Sequence, residues 1–232
     1  MAVTSVRLVA VAFDARDPSV PAAFWADLLD RPVAVDADGA FLPGAGAQIG
    51  LRFDATEAED LSRPNRVHLH LTSTDLDDQR AIVAKALRLG GRVIREQPGG
   101  EVVMADRGRN EFCVIEPGDG FLAGCGFLAE VTCEGPREAG LFWSGALGWP
   151  LVWDRGDQTA VQSPHGGTKV SWDVRPAPSR YGTRRQRLVL AAADRDSEAA
   201  RLVALGAVQA GGDDDRILMA DPGGGEFWLT RE

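Results

Sequence analysis

Cysteine and histidine are scarce in this chain, with three of each in 232 residues. The cysteines, Cys113, Cys125 and Cys133, form no CxxC pair, so neither a disulfide framework nor a zinc ribbon is expected. No apolar run reaches the length of a membrane span. The first residues lack the basic segment, long apolar core and small-residue cleavage site of a secretion signal, and the expected location is the cytoplasm. Basic charge is in deficit. With a net charge of −9, neither a nucleic-acid backbone nor an anionic membrane is an expected partner. Gly-x-Ser-x-Gly is missing, and no Cys/His pairing with an orienting acid stands out. Gly223-Gly-Gly225 precedes a strand rather than a helix, so it is no phosphate loop. His165, in Ser163-Pro164-His165, reads as an exposed turn residue.

What is present is an internal repeat. Phe24-Trp25-Ala-Asp-Leu-Leu-Asp-Arg-Pro32 returns as Phe142-Trp143-Ser-Gly-Ala-Leu-Gly-Trp-Pro150. Each copy reads as a short helix that breaks at its proline. Val102-Val-Met-Ala-Asp106 with Asn110-Glu-Phe-Cys113 returns as Ile217-Leu-Met-Ala-Asp221 with Gly225-Glu-Phe-Trp228. Between these landmarks the pattern strand, helix and three strands occurs four times. The first apolar strand runs over Val6 to Phe13, and Asp17, Asp75 and Asp194 stand as helix caps. The stretch Asp54–Asn65 reads as a polar connector, and Pro117–Gly124 as a glycine-rich linker. The spacing predicts two domains, 1–118 and 125–232, joined by residues 119–124. A single module leaves one face of its sheet bare, so modules are expected to pair. The expected product is an α+β fold in which two modules make a curved eight-stranded mixed sheet, with a concave face and helices outside.

These modules, the Phe-Trp helix, the Asp-capped helices ending in Leu-Gly, and Asp221-Pro-Gly-Gly-Gly-Glu-Phe227 resemble the vicinal oxygen chelate superfamily. That superfamily includes glyoxalase I, extradiol dioxygenases, and fosfomycin and bleomycin resistance proteins. The resemblance implies two tandem glyoxalase-like domains. Its metal-using members ligate through the first, fifth and eighth strands. Carried over by position, these sites are Ala10, His68 and Cys113 in the first half and Leu128, Arg187 and Trp228 in the second. Only His68 and Cys113 among them can ligate, and a cation beside Arg187 is repelled.

His68 and His70 share one strand face, as do Glu111 and Cys113. The first reading is a metal-free binder of the resistance-protein type, holding a small aromatic or charged organic molecule in a concave cavity, with no cofactor. Its candidate residues are His68, His70, Glu111, Cys113, Trp153, Trp172, Arg187 and Trp228. Trp228 is expected to stack a planar ligand together with Trp153 or Trp172. The alternative is a metal-dependent lyase or dioxygenase using His68, His70 and Glu111, with a degenerate second domain. Glu226 repeats Glu111 without histidines beside it, which favours a structural role for this glutamate. Arg175, Arg180, Arg184, Arg185 and Arg187 read as a solvated basic loop, and Asp213-Asp-Asp215 as a hairpin turn. The expected partner is a small molecule, and the chain is expected to be a monomer or homodimer.

Overall fold

The computed structural model describes residues 6–57, 65–173 and 185–232. Four modules follow one another. The first comprises β1 (Val6–Ala15), α1 (Ser19–Leu29), β2 (Ala34–Asp36), β3 (Gly39–Leu42) and β4 (Gly50–Ala55). The second has β5 (Val67–Leu71), α2 (Leu76–Arg88), β6 (Arg92–Glu96), β7 (Val102–Ala105) and β8 (Glu111–Val114). The third has β9 (Leu128–Glu134), α3 (Arg137–Leu147), β10 (Leu151–Arg155), β11 (Gln158–Val161) and β12 (Lys169–Asp173). The fourth has β13 (Gln186–Ala192), α4 (Arg195–Ala204), β14 (Val208–Gly212), β15 (Arg216–Ala220) and β16 (Glu226–Arg231).

Local chemistry sets the helix ends. The Asp75 carboxylate accepts from the backbone N–H groups of Asp77 and Asp78 at 2.9 and 2.8 Å, which satisfies two of the free donors at the start of α2. Asp194 accepts from Ser197 N in the same way before α4. Asp17 accepts from Ser19 N at 3.0 Å. The two Phe-Trp helices end at equivalent repeat positions, Asp30 and Gly148, both left-handed with φ of 54° and 66°.

Two eight-stranded mixed sheets form, in the orders β14-β15-β16-β13-β1-β4-β3-β2 and β10-β11-β12-β9-β5-β8-β7-β6. The pairing differs from the expectation that the two modules of one half share a sheet. Each sheet joins one module from each half, the first sheet taking modules one and four and the second taking modules two and three. The central seams are β1 against β13 and β5 against β9, both antiparallel.

The physical reason lies in the Phe-Trp helices. Trp25 packs edge-on against Phe112 of β8 at 5.0 Å, and its indole N–H donates to Asp106 at 2.7 Å. Trp143 repeats this with Phe227 of β16 at 5.0 Å and Asp221 at 2.9 Å. Modules within a half are therefore joined through helix faces and buried side chains, and their sheet edges are left to pair with the other half. One continuous apolar core results, containing Phe13, Leu51 and Phe227 from the first sheet and Leu69, Phe112 and Val131 from the second. Strand alternation sends the intervening residues to the opposite, cavity-bearing face of each sheet. Asp54, expected in a connector, ends up in β4 at 5% exposure, because that alternation turns its carboxylate toward arginines of the first sheet.

Candidate functional site

The first sheet carries a cavity of about 470 Å³. Its floor includes Ala10, Val189 and Trp228, on β1, β13 and β16. Arg52 of β4 donates to Asp36 and, through Nε at 2.9 Å, to Asp54. Arg216 of β15 reaches the other Asp54 oxygen at 3.1 Å and lies 4.2 Å above the Trp228 ring. These partners hold the Arg52 guanidinium above its usual pKa, chiefly through Asp36, and hold Asp36 below the usual carboxylate range. Beneath them Arg187 donates to Asp14 at 2.8 Å and lies 3.4 Å from Glu226. Burial raises the Asp14 pKa against the opposing pull of Arg187. The buried Nε1 of Trp228 has no hydrogen-bond partner. Five aspartates against three arginines line the cavity, leaving it a net charge of −2.

The second sheet carries two smaller cavities, of about 250 and 290 Å³, which share His70, Phe121 and Glu130 as walls. Strand register sets Cys113, His70, Glu130 and Lys169 in one row across β8, β5, β9 and β12. His70 Nδ1 lies 2.7 Å from Glu130 Oε2, and Cys113 stands opposite His70 in the register of β5 and β8. Burial alone would lower the His70 pKa. The Cys113 and Glu130 hydrogen bonds and charges outweigh it and push the pKa up to about 10, so the imidazole is held protonated. Burial works on Glu130 in the other direction, yet the histidine keeps its pKa lowered. One row further, His68 Nε2 is 3.2 Å from Glu111 Oε2 but makes no hydrogen bond there.

The sequence-derived residues are thus divided between two sheets. His68, His70, Glu111, Cys113, Trp153 and Trp172 are on the second, and Arg187 and Trp228 on the first. Trp228 therefore cannot stack a ligand together with Trp153 or Trp172. Trp172, 2% exposed, stacks on Trp143 of α3 at 6.0 Å, while Trp153 lies edge-on to Phe121 at 5.5 Å in the second-sheet cavity. The solvated-loop expectation fails for Arg185 and Arg187, which are buried: Arg187 pairs with Asp14 and Glu226, and Arg185 reaches into the turn between β7 and β8. Arg185 donates to Asn110 and Gly108 O. Arg175, Arg180 and Arg184 lie outside the described residues. Glu226 does face an arginine, and His165 is exposed in its turn.

The six family metal positions regroup as Ala10, Arg187 and Trp228 on the first sheet and His68, Cys113 and Leu128 on or beside β5. The first set has no ligating group and contains a guanidinium. In the second, Leu128 belongs to the core and the protonated His70 between Cys113 and Glu130 has no lone pair to give. Among the described residues no group of three or more His, Cys, Asp or Glu is placed to hold a metal ion. These residues do not fit the family's metal.

Sequence reasoning missed Glu130, Lys169, Arg52, Asp54 and Arg216. It also missed that a Cys/His pair with an acid partner exists, because Glu130 belongs to the other half of the chain. The available signal was a lone acid within the apolar strand Leu128-Ala-Glu130-Val131.

A family model described as a glyoxalase-like domain matches residues 10–115 and again 129–230. Glyoxalase I from Zea mays is similar in structure, with a TM-score of 0.71 at 15% identity over 98% of this chain and 92% of that one. A putative dioxygenase from Bacillus subtilis subsp. subtilis str. 168 gives 0.61 at 14% identity, over 97% and 84%. A search of curated proteins returns no match. No helix among the described residues is long and apolar enough to cross a membrane.

Proposed function

Because the chain belongs to the glyoxalase-like domain family of the vicinal oxygen chelate superfamily, we propose that it binds a small planar organic cation in the first-sheet cavity, without a metal. The observation that carries this reading is a cavity of about 470 Å³ whose lining has five aspartates against three arginines. The lining charge of −2 selects the sign of the ligand, since Asp38 and Asp215 at the rim are exposed and add to a surplus of carboxylate. Phe41 supplies flat apolar area, and the Trp228 indole lies close enough to report a bound ligand. The chemistry of Zea mays glyoxalase I is not carried over, because Ala10, Arg187 and Trp228 stand where a metal would need donors.

Fluorescence titration tests this reading. N-methylquinolinium should quench tryptophan emission saturably and more weakly as salt rises, and naphthalene-2-sulfonate should not. Trp228→Phe should blunt the quenching. Equal binding of the sulfonate, or unchanged quenching in the Phe variant, sinks the proposal.

A further inference from the structure

Building on the cationic reading of the first-sheet cavity, we infer that Arg216 is a displaceable internal plug of that cavity, and that the ligand which replaces it is an aryl amidinium or guanidinium. Arg216 opens β15, and strand alternation turns it to the cavity while Ile217 and Met219 enter the core. Its guanidinium lies 4.2 Å from the Trp228 ring, and one terminal nitrogen donates to Asp54 Oδ2 at 3.1 Å. These are the two contacts that a planar cation with N–H donors would make. The Asp54 side chain is 7% exposed, and its other oxygen already accepts from Arg52 Nε at 2.9 Å. Arg216 therefore holds the second oxygen of a buried carboxylate and covers the aromatic ring beside it.

Arg216 also has somewhere to go. Its Nε lies 3.5 Å from Asp213 Oδ2, and the Asp213 side chain is 56% exposed at the rim. Asp213 Oδ1 accepts from the backbone N–H groups of Asp215 and Arg216 at 3.0 and 2.9 Å, which fixes the second oxygen beside the guanidinium. The guanidinium thus stands between an inner carboxylate and an outer one. Moving outward, it keeps Asp213 and gives up Asp54 and Trp228. Without a replacement, that move leaves a buried carboxylate oxygen short of a donor, so the plug stays in. A ligand offsets this cost only if it brings its own N–H to Asp54 and its own flat face to Trp228. An amidinium or guanidinium on an aryl group brings both. A quaternary ammonium brings charge without a donor, and an anion meets the aspartates. The apparent affinity for the ligand is scaled by the fraction of molecules in which the plug is out.

Isothermal titration calorimetry of the full chain with benzamidine and with phenyltrimethylammonium, a cation of similar size without N–H, separates these outcomes. Benzamidine should bind about tenfold more tightly than phenyltrimethylammonium. Arg216→Ala should tighten benzamidine binding by about tenfold or more. Equal affinity for the two cations, or benzamidine binding that is unchanged or weaker in Arg216→Ala, overturns the plug. If N-methylquinolinium still quenches saturably in that case, the cationic reading of the cavity stands without the plug. Binding of no cation by either protein removes both. If Arg216→Ala does not fold, Asp213→Asn and Asp215→Asn decide, because each removes one rim charge but only Asp213 receives the displaced guanidinium. Benzamidine should then weaken more in Asp213→Asn, and equal losses overturn the plug.

Discussion

Glu130→Gln leaves the buried His70 imidazolium beside a neutral amide. In the native protein burial opposes the charged ring, yet its hydrogen bonds and neighbouring charges raise the pKa from 6.5 to about 10. At 1.36 kcal/mol per tenfold change, that rise corresponds to roughly 5 kcal/mol of preference for the protonated ring. Part of it comes from Cys113, so Glu130 accounts for less than the whole. Removing one member of a buried pair costs about 3–5 kcal/mol, a range consistent with that ceiling. The sign follows from the folded pKa lying above the unfolded one. Stabilisation is complete below pH 6.5, declines as pH rises above it, and is gone once pH passes about 10. The titratable groups facing His70 are Cys113 from β8, Glu130 from β9, Lys169 from β12 one strand beyond, and Glu101, Glu116 and Asp119 around the cavity. Urea unfolding of both proteins, followed by tryptophan fluorescence from pH 6 to 10 under reducing conditions, reads the stability gap directly. The gap should be widest near pH 6.5 and close toward pH 10. A gap that stays constant across this range, or one below about 1 kcal/mol at pH 6.5, would refute the reasoning.

Chain segments 1–118 and 125–232 expressed separately should each self-associate, because each exposes its seam strands as open edges, and mixing them should give a one-to-one complex by light scattering. A monomeric half that unfolds cooperatively would contradict the cross-half pairing. Asp106→Asn and Asp221→Asn each set an amide against a buried tryptophan N–H and should each cost about 1–3 kcal/mol in urea unfolding. A large difference between the two would break the equivalence of the repeats. Gly140→Ala places a Cβ 2.0 Å from Thr159 Oγ1 and 2.5 Å from its Cβ, so overpacking of about 1–3 kcal/mol should outweigh the helix propensity gained by alanine, lowering the melting temperature. A higher melting temperature would show that β11 yields.

Helix and strand identity, their order and the twofold repeat were legible because they depend on local chemistry. Asp75 and Asp194 cap their helices through neighbouring backbone donors, and the alternation Val67-His68-Leu69-His70-Leu71 sends both histidines to one face whatever the strand pairs with. The same local logic carried the family resemblance and the absence of ligating side chains at Ala10, Leu128 and Arg187. Which strands share a sheet was not written locally. The edges of β1 and β5 can hydrogen-bond to any extended partner, since backbone donors and acceptors are the same in every strand. The choice followed from Trp25 and Trp143 occupying the space between modules of one half and reaching Asp106 and Asp221. That packing put Trp228 and Trp153 on different sheets and brought Glu130 from one half against His70 of the other. His70 and Cys113 were visible in the sequence as candidates and Glu130 was not, because its meeting with His70 depends on a contact across about sixty residues, which only tertiary packing could decide.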